Sequence, residues 1–366
     1  MKKYYYIDIM RGLAIIAVIA MHSIFFENDG GILLTVSKFG QMGVQLFFVA
    51  SALTLCLSME HRGYNKSNRK EYFLRRFFRI APMYYVGILL YFVISIIRNY
   101  HGLESNYEMY TFSGVLSNVF LAHGFIPAYN NNIVFGGWSI GTEVGFYLIF
   151  PFLFIMLRDK SPLYIFKIIV AYTILTFAVI FGISSFYEGF IIRNNTFSYY
   201  NLFNQFPVFL WGIIFYRVLK IGNIKLMKYF IGAAVGLLAF FISWYSQMLL
   251  SFYFVPLFIG LVFLCFGVIL SQINIHIPLI EKIGQRSYSI YIVHFTFCWF
   301  IFPILDDLFL VDLNANIRFL TNFSLTLIFS YLIASLTKKY VEDPFLSLGN
   351  NAIKYLNDKK VATKTV

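Results

Sequence analysis

Charge is what this sequence has least of. Asp, Glu, Lys and Arg make up 13% of its 366 residues, against roughly a quarter in soluble domains, while 59% are hydrophobic and 20% aromatic. That balance excludes a water-soluble globular chain, and a mean hydropathy of +0.72 points to a polytopic membrane protein. Cysteine is scarce too. Cys56, Cys265 and Cys298 each sit in an apolar run with no CxxC or Cys/His spacing, so neither a disulfide framework nor a zinc site is expected, and the three read as packing residues. Low-complexity tracts, a solenoid repeat and a soluble domain before or after the apolar segments are also missing. The expected organisation is one membrane domain, 1–346, followed by a basic cytoplasmic tail, 347–366.

A membrane span needs roughly 20 mostly apolar residues. Ten windows qualify: 7–26, 41–59, 81–98, 138–157, 163–185, 200–219, 229–247, 249–271, 287–305 and 317–337. The fold class is therefore all-α, a polytopic bundle of about 10 transmembrane helices. The formal charge of +12 raises nucleic acid as a partner, and the distribution of the charges answers it. With the N-terminus inside, the outer loops hold only Lys38, Arg98, Arg193 and Arg318, leaving 25 of the 29 Lys and Arg on or near the inner side. Such a positive-inside bias sets orientation, puts both termini in the cytoplasm and leaves no reason to expect nucleic acid. The stretch from Glu60 to Arg79 alone carries Arg62, Lys66, Arg69, Lys70, Arg75, Arg76 and Arg79, and the tail adds Lys354, Lys359, Lys360 and Lys364. The opening MKKYYY with its apolar run resembles a signal peptide, but Asp8 and Arg11 inside the run favour a retained first helix. Ser113 to Phe125 is too short to cross and reads as an interfacial or re-entrant piece of a long outer loop, 99–137.

Ionisable groups within spans cost about 2.5–3.5 kcal/mol at mid-bilayer and are functional candidates by default. On the first helix, Arg11 and His22 lie eleven positions apart, which puts them on one face and about 16 Å apart along the axis. Arg11 sits near the inner boundary and His22 in the outer third of the core. One reading is structural: Arg11 snorkels to headgroups, Asp8 pairs with it at i,i+3, and His22 is a hydrogen-bonded core histidine. Glu143 supplies another. It lies about 8 Å below the outer face on a helix that runs inward, at a depth matching His22, and a carboxylate beside an imidazole is a general-base arrangement. A buried ion pair would account for the same two residues.

Arg75, Arg76 and Arg79 open the third helix, with Pro82 just inside. Orientation statistics explain one or two of them; three within five residues also suit an anion such as a phosphate or a nucleotide-bearing donor. His294 lies three residues after Tyr291, so a satisfied core pair and a catalytic role are both open. His61, His101, His123 and His276 fall in loops or at interfaces, with no catalytic role expected. The pattern is one of positive charge at the inner face and an acid/base pair near the outer face.

These residues also carry a resemblance. Asp8, Arg11-Gly12 and His22 resemble the opening motif of the acyltransferase 3 family, integral membrane O-acyltransferases that modify bacterial surface polysaccharides. Gln45 to Ser51 resembles its FFVLSG signature, and Arg76 to Pro82 its Arg-x-x-Arg-Ile-x-Pro element. Trp138-Ser139 with Glu143 and Phe146-Tyr147 is similar to WSLxxExxFY, Ser287 to His294 to SYSLYLxH, and Glu342-Asp343-Pro344-Phe345 to the closing E-x-P-F. Six motifs in family order span residues 8 to 345. Ile9, Ala52 and Ala81 depart from the pattern where glycine, glycine and tyrosine are usual; all three concern packing more than chemistry.

The resemblance implies acetyl-CoA as a donor substrate with no permanently bound cofactor, and Arg11, Arg76 and Arg79 as holders of its charged end. It makes His22 the catalytic base or a transient acyl carrier and Glu143 its orienting or proton-accepting partner, with Asp8, Arg75, Trp138, Ser139, Tyr291 and His294 in support. The acceptor would be a glycan or lipid-linked glycan, the setting a bacterial inner membrane with its lipids, and polysaccharide-assembly proteins would be neighbours. Many members carry an extra periplasmic esterase-like domain; this chain ends about 20 residues after Pro344, so the membrane domain is expected to complete the transfer or hand on to a partner. An exporter, or a transferase of another acyl group such as succinyl, is the alternative. The acceptor is expected at residues 99–137, 186–199 and 306–316, which include Glu104, Glu108, Tyr187 and Glu188.

Overall fold

The computed structural model describes residues 4–24, 31–63, 69–186, 199–245 and 251–362. Lys66, Tyr187, Glu188, Arg193 and Lys364 fall outside them. No strand occurs among the described residues. The helices are α1 (Tyr5–His22), α2 (Ile32–Ser37), α3 (Gly43–Arg62), α4 (Arg69–Tyr100), α5 (Phe112–Val119), α6 (Gly137–Leu157), α7 (Pro162–Phe186), α8 (Leu202–Ile221), α9 (Leu226–Tyr245), α10 (Ser251–Ile273), α11 (Pro278–Gln285), α12 (Ser287–Phe295), α13 (Phe302–Phe309), α14 (Ala315–Thr337) and α15 (Asp343–Ala362). Two π-helical turns, Thr296–Ile301 and Lys338–Glu342, join α12 to α13 and α14 to α15.

Among the described residues, ten helical stretches are long and apolar enough to cross a membrane, one for each window read from the sequence. Helix α5, eight residues long, is not among them. Boundaries differ where polar residues extend a helix. At 32 residues, α4 is about 48 Å long, so its charged first turns outreach an apolar core of roughly 30 Å. Polar side chains also set the starts. Thr111, Asn201 and Asn314 each accept a hydrogen bond from the backbone N–H three residues on, at 3.0–3.1 Å, and so cap α5, α8 and α14.

The chain divides into two compact units, each built from three separate stretches. The first comprises residues 1–18, 39–62 and 142–285. There α3 packs on α8, α8 on α7 and α10, and α10 on α9. Phe209 is stacked between Phe48 and Phe146, with centroids at 4.5 and 4.0 Å. Gly12 is the close approach in this unit: a Cβ there would stand 2.3 Å from the Ile280 carbonyl oxygen of α11, which explains a glycine directly after Arg11.

The second unit comprises residues 19–38, 63–141 and 286–366. Here α12 packs on α4 and α14, and α15 packs on α4 with Gly349 against Phe78. The expected tail is thus helical through Ala362 and docked on the basic start of α4. Asp306 and Arg318 form a buried ion pair, with Asn322 Nδ2 donating to the same carboxylate at 3.3 Å. Both α1 and α6 are continuous helices that contribute residues to each unit.

Candidate active site

His22 ends α1 in the second unit. Its ring lies 4.5 Å from Phe295, 5.4 Å from Trp299 and 5.5 Å from His294, centroid to centroid. Phe135 adds a further wall, 6.0 Å from Phe295 and 5.1 Å from Trp299. His22 is half-buried, and within the unit no hydrogen bond engages either of its ring nitrogens among the described residues.

The π-helical turn that starts at Thr296 builds this wall. In an α-helix Cys298 would lie over His294, four residues before it; a π turn bonds i to i+5 and brings Trp299 round instead. Cys298 is then turned into a fully buried position. A sequence cannot announce a one-residue irregularity of this kind, so the placement of Trp299 was not legible in it.

The supports read from the sequence converge beside His294. The Tyr291 hydroxyl donates to the Gly136 carbonyl at 3.1 Å and receives a bond from Ser139 Oγ at 2.9 Å. Gly136 has φ +73°, and a Cβ there would meet that hydroxyl at 2.8 Å. Trp138 is buried in the same turn. Hence Tyr291 ties the start of α6 to α12. His294 does not bond the Tyr291 hydroxyl, which is one way its pairing could be read; its Nδ1 donates to the Tyr291 backbone carbonyl at 2.7 Å.

Glu143 belongs to the first unit. Its Oε1 accepts from Ser51 Oγ of α3 and, at 2.6 Å, from the Tyr147 hydroxyl one turn along α6. Both bonds land on one oxygen, which pins the carboxylate in a single orientation. In the same unit Arg11 Nη2 donates to Thr54 Oγ1 at 3.0 Å, and Asp8 accepts from Gln285 Nε2 at 2.9 Å. Asp8 therefore anchors α11 against α1. His22 and Glu143 fall in different units.

The α4 arginines have acidic or aromatic company. Arg75 is paired with Glu71 one turn earlier, and Arg76 lies over the Tyr72 ring at 5.8 Å. Arg79 Nη1 stands 3.6 Å from Glu342 Oε2, while Ser289 Oγ donates to Oε1 of the same carboxylate at 2.5 Å. Glu342 comes from the closing E-x-P-F motif, which gives that motif a physical role.

His123 lies in the loop between α5 and α6, as its place in the sequence suggests, and is fully buried there. Its Nε2 lies 3.0 Å from both the Tyr84 hydroxyl and the Gly137 carbonyl, and its ring stacks on Tyr84 at 5.1 Å. Tyr84 donates onward to Asn118 Oδ1 at 2.7 Å. Burial pushes the His123 pKa down to about 4, against the opposing pull of the Gly137 carbonyl. The outer loop folds around this histidine, so a residue in an irregular segment became core.

Comparison with known proteins brings these motifs under one description. A family model described as "Acyltransferase domain" matches residues 4–335. Peptidoglycan O-acetyltransferase OatA of Listeria monocytogenes is 31% identical over 183 residues, 46% of this chain and 27% of that protein. A putative acetyltransferase, ORF330, of Acidianus two-tailed virus is 28% identical over 198 residues, 53% of this chain and 52% of that protein. The chain thus spans about a quarter and about half of these two relatives. No solved structure matches it. The chain belongs to the acyltransferase 3 family and is a multi-pass membrane protein with an acyltransferase domain.

Proposed function

We propose that the protein is an O-acetyltransferase of the bacterial inner membrane, with both termini cytoplasmic, that moves an acetyl group from cytosolic acetyl-CoA to a hydroxyl of a surface polysaccharide or its lipid-linked precursor. In the reaction the acceptor oxygen attacks the thioester carbonyl. A C–O bond forms, the C–S bond breaks, and the hydroxyl proton passes through His22 to the departing thiolate. His22 is the base in this scheme and Glu143 its orienting or proton-accepting partner. Arg76 and Arg79 at the charged start of α4 hold donor phosphates, with Arg11 in the same role by resemblance.

The observation that carries this reading is the setting of His22: its ring is held by aromatic neighbours, and among the described residues of its unit no hydrogen bond engages it. A ring nitrogen is therefore open to an acceptor hydroxyl, as a base requires. The orientation of Glu143 by Ser51 and Tyr147 supports it, and so does the O-acetyl transfer named for the Listeria relative. The inward-facing bias of Lys and Arg supports the orientation.

Mass spectrometry of the host's surface glycans tests it, comparing wild type, His22→Ala and a deletion. Loss of O-acetyl groups in both mutants, with glycan quantity level, is expected and identifies the acceptor. Unchanged acetylation in His22→Ala would remove His22 from the reaction.

A further inference from the structure

One buried nitrogen in the second unit has no task in this scheme. His294 is fully buried, and its Nδ1–H is committed to the Tyr291 carbonyl. That bond fixes the tautomer and leaves the lone pair on Nε2. Nε2 has no hydrogen-bond partner among the described residues. A buried acceptor left unpaired costs about 1–3 kcal/mol, and a leucine or phenylalanine would fill the same space without that cost. Packing alone therefore does not account for a histidine here.

What lies against it is His22. The two rings are 5.5 Å apart, centroid to centroid, with planes inclined at 43°. At this separation a rotation of the rings toward each other would bring an N–H of His22 within reach of Nε2, directly or through one water. Two further rings lie against His22 in the unit, Phe295 and Trp299; Phe295 has no polar atom and Trp299 only an N–H donor, so neither offers an acceptor to a His22 N–H. Neither competes for the hydrogen bond, and in such surroundings it is stronger than in water.

We propose that His294 is the positioning residue for His22: its Nε2 accepts a hydrogen bond from one ring N–H of His22, fixes which His22 nitrogen keeps the lone pair, and steadies the imidazolium formed when the acceptor's proton is taken up. His294 does for His22 what an orienting carboxylate does for other histidine bases. The inference rests on the reading of His22 as the base.

The test uses the full chain in lipid nanodiscs, with acetyl-CoA as donor and soluble peptidoglycan oligosaccharide as acceptor. Kinetics are read alongside the ring-nitrogen NMR signals of His22 in histidine-labelled protein. His294→Phe should lower kcat at least about tenfold with the acetyl-CoA KM unchanged, and should turn one His22 tautomer into a mixture. His294→Gln places an acceptor oxygen near the Nε2 position, so it should keep the single tautomer and most of the activity. A His294→Phe protein with wild-type kcat, an unaltered tautomer in that variant, or a His294→Gln protein as impaired as His294→Phe would each overturn the proposal. Full activity in His22→Ala would instead overturn the function proposed above, and the NMR signals would still report on the histidine pair.

Discussion

The Arg79 guanidinium stands 3.6 Å from the carboxylate of Glu342, a residue only 3% exposed that also binds Ser289. A motif at the end of the chain thereby holds an arginine near its beginning and a serine of α12. Removing the acid strands both partners. Glu342→Ala should cost about 1–3 kcal/mol, seen as a lower unfolding temperature in detergent. Glu342→Gln, which keeps an acceptor for Ser289, should cost less.

Glu143 receives two hydrogen bonds on one oxygen, and each can be removed singly. Hydrogen bonds to a charged group contribute about 1.5–3 kcal/mol, so Ser51→Ala and Tyr147→Phe should each lower kcat by about ten- to a hundredfold if the orientation matters to the reaction. Acetyl release from acetyl-CoA by each purified variant checks this, with the donor KM expected to hold.

Gly136 combines a positive φ with close approach of the Tyr291 hydroxyl. Gly136→Ala should cost about 1–3 kcal/mol from backbone strain and shift the start of α6. Thermal unfolding measures the first effect and residual activity the second. A neutral outcome in both would show that the Ser139–Tyr291 contact does not depend on this turn.

His123 sets a pH dependence. Its folded pKa of about 4 lies below the ordinary 6.5, so between those values the unfolded chain binds a proton that the folded chain refuses. The contribution is whole above pH 6.5 and is lost as pH falls toward 4, about 3 kcal/mol at most. Unfolding curves at stepped pH should show the wild type weakening over this window relative to His123→Phe.

The spans were legible because twenty apolar residues in a row admit few other structures. Tyr147 was within reach of pattern reasoning, since it lies one turn from Glu143. Ser51 was not: it stands 92 positions from Glu143 in the chain, and only the packing of two helices joins them. The loop position of His123 was legible but its burial was not, because only the folded loop shows that it wraps its own histidine. The aromatic wall beside His22 depends on a π turn, which leaves no mark in hydrophobic periodicity. The three arginines on α4 are a basic cluster in the sequence, but the acids paired with two of them are near in one case and 263 residues away in the other.

The π turn after His294 also bears on how this region tolerates change in length. It holds one residue more per hydrogen-bonded ring than the helices on either side. Deleting a single residue there would let the segment relax into ordinary α-helix, with every backbone bond satisfied and the helix still able to cross a membrane. Where the residue removed lies beyond Trp299, that ring, five positions after His294 in an ordinary α-helix, would rotate away from His22. A shortened protein of this kind would fold and insert normally yet lack the wall around its base, so at this point in the chain length itself carries functional information.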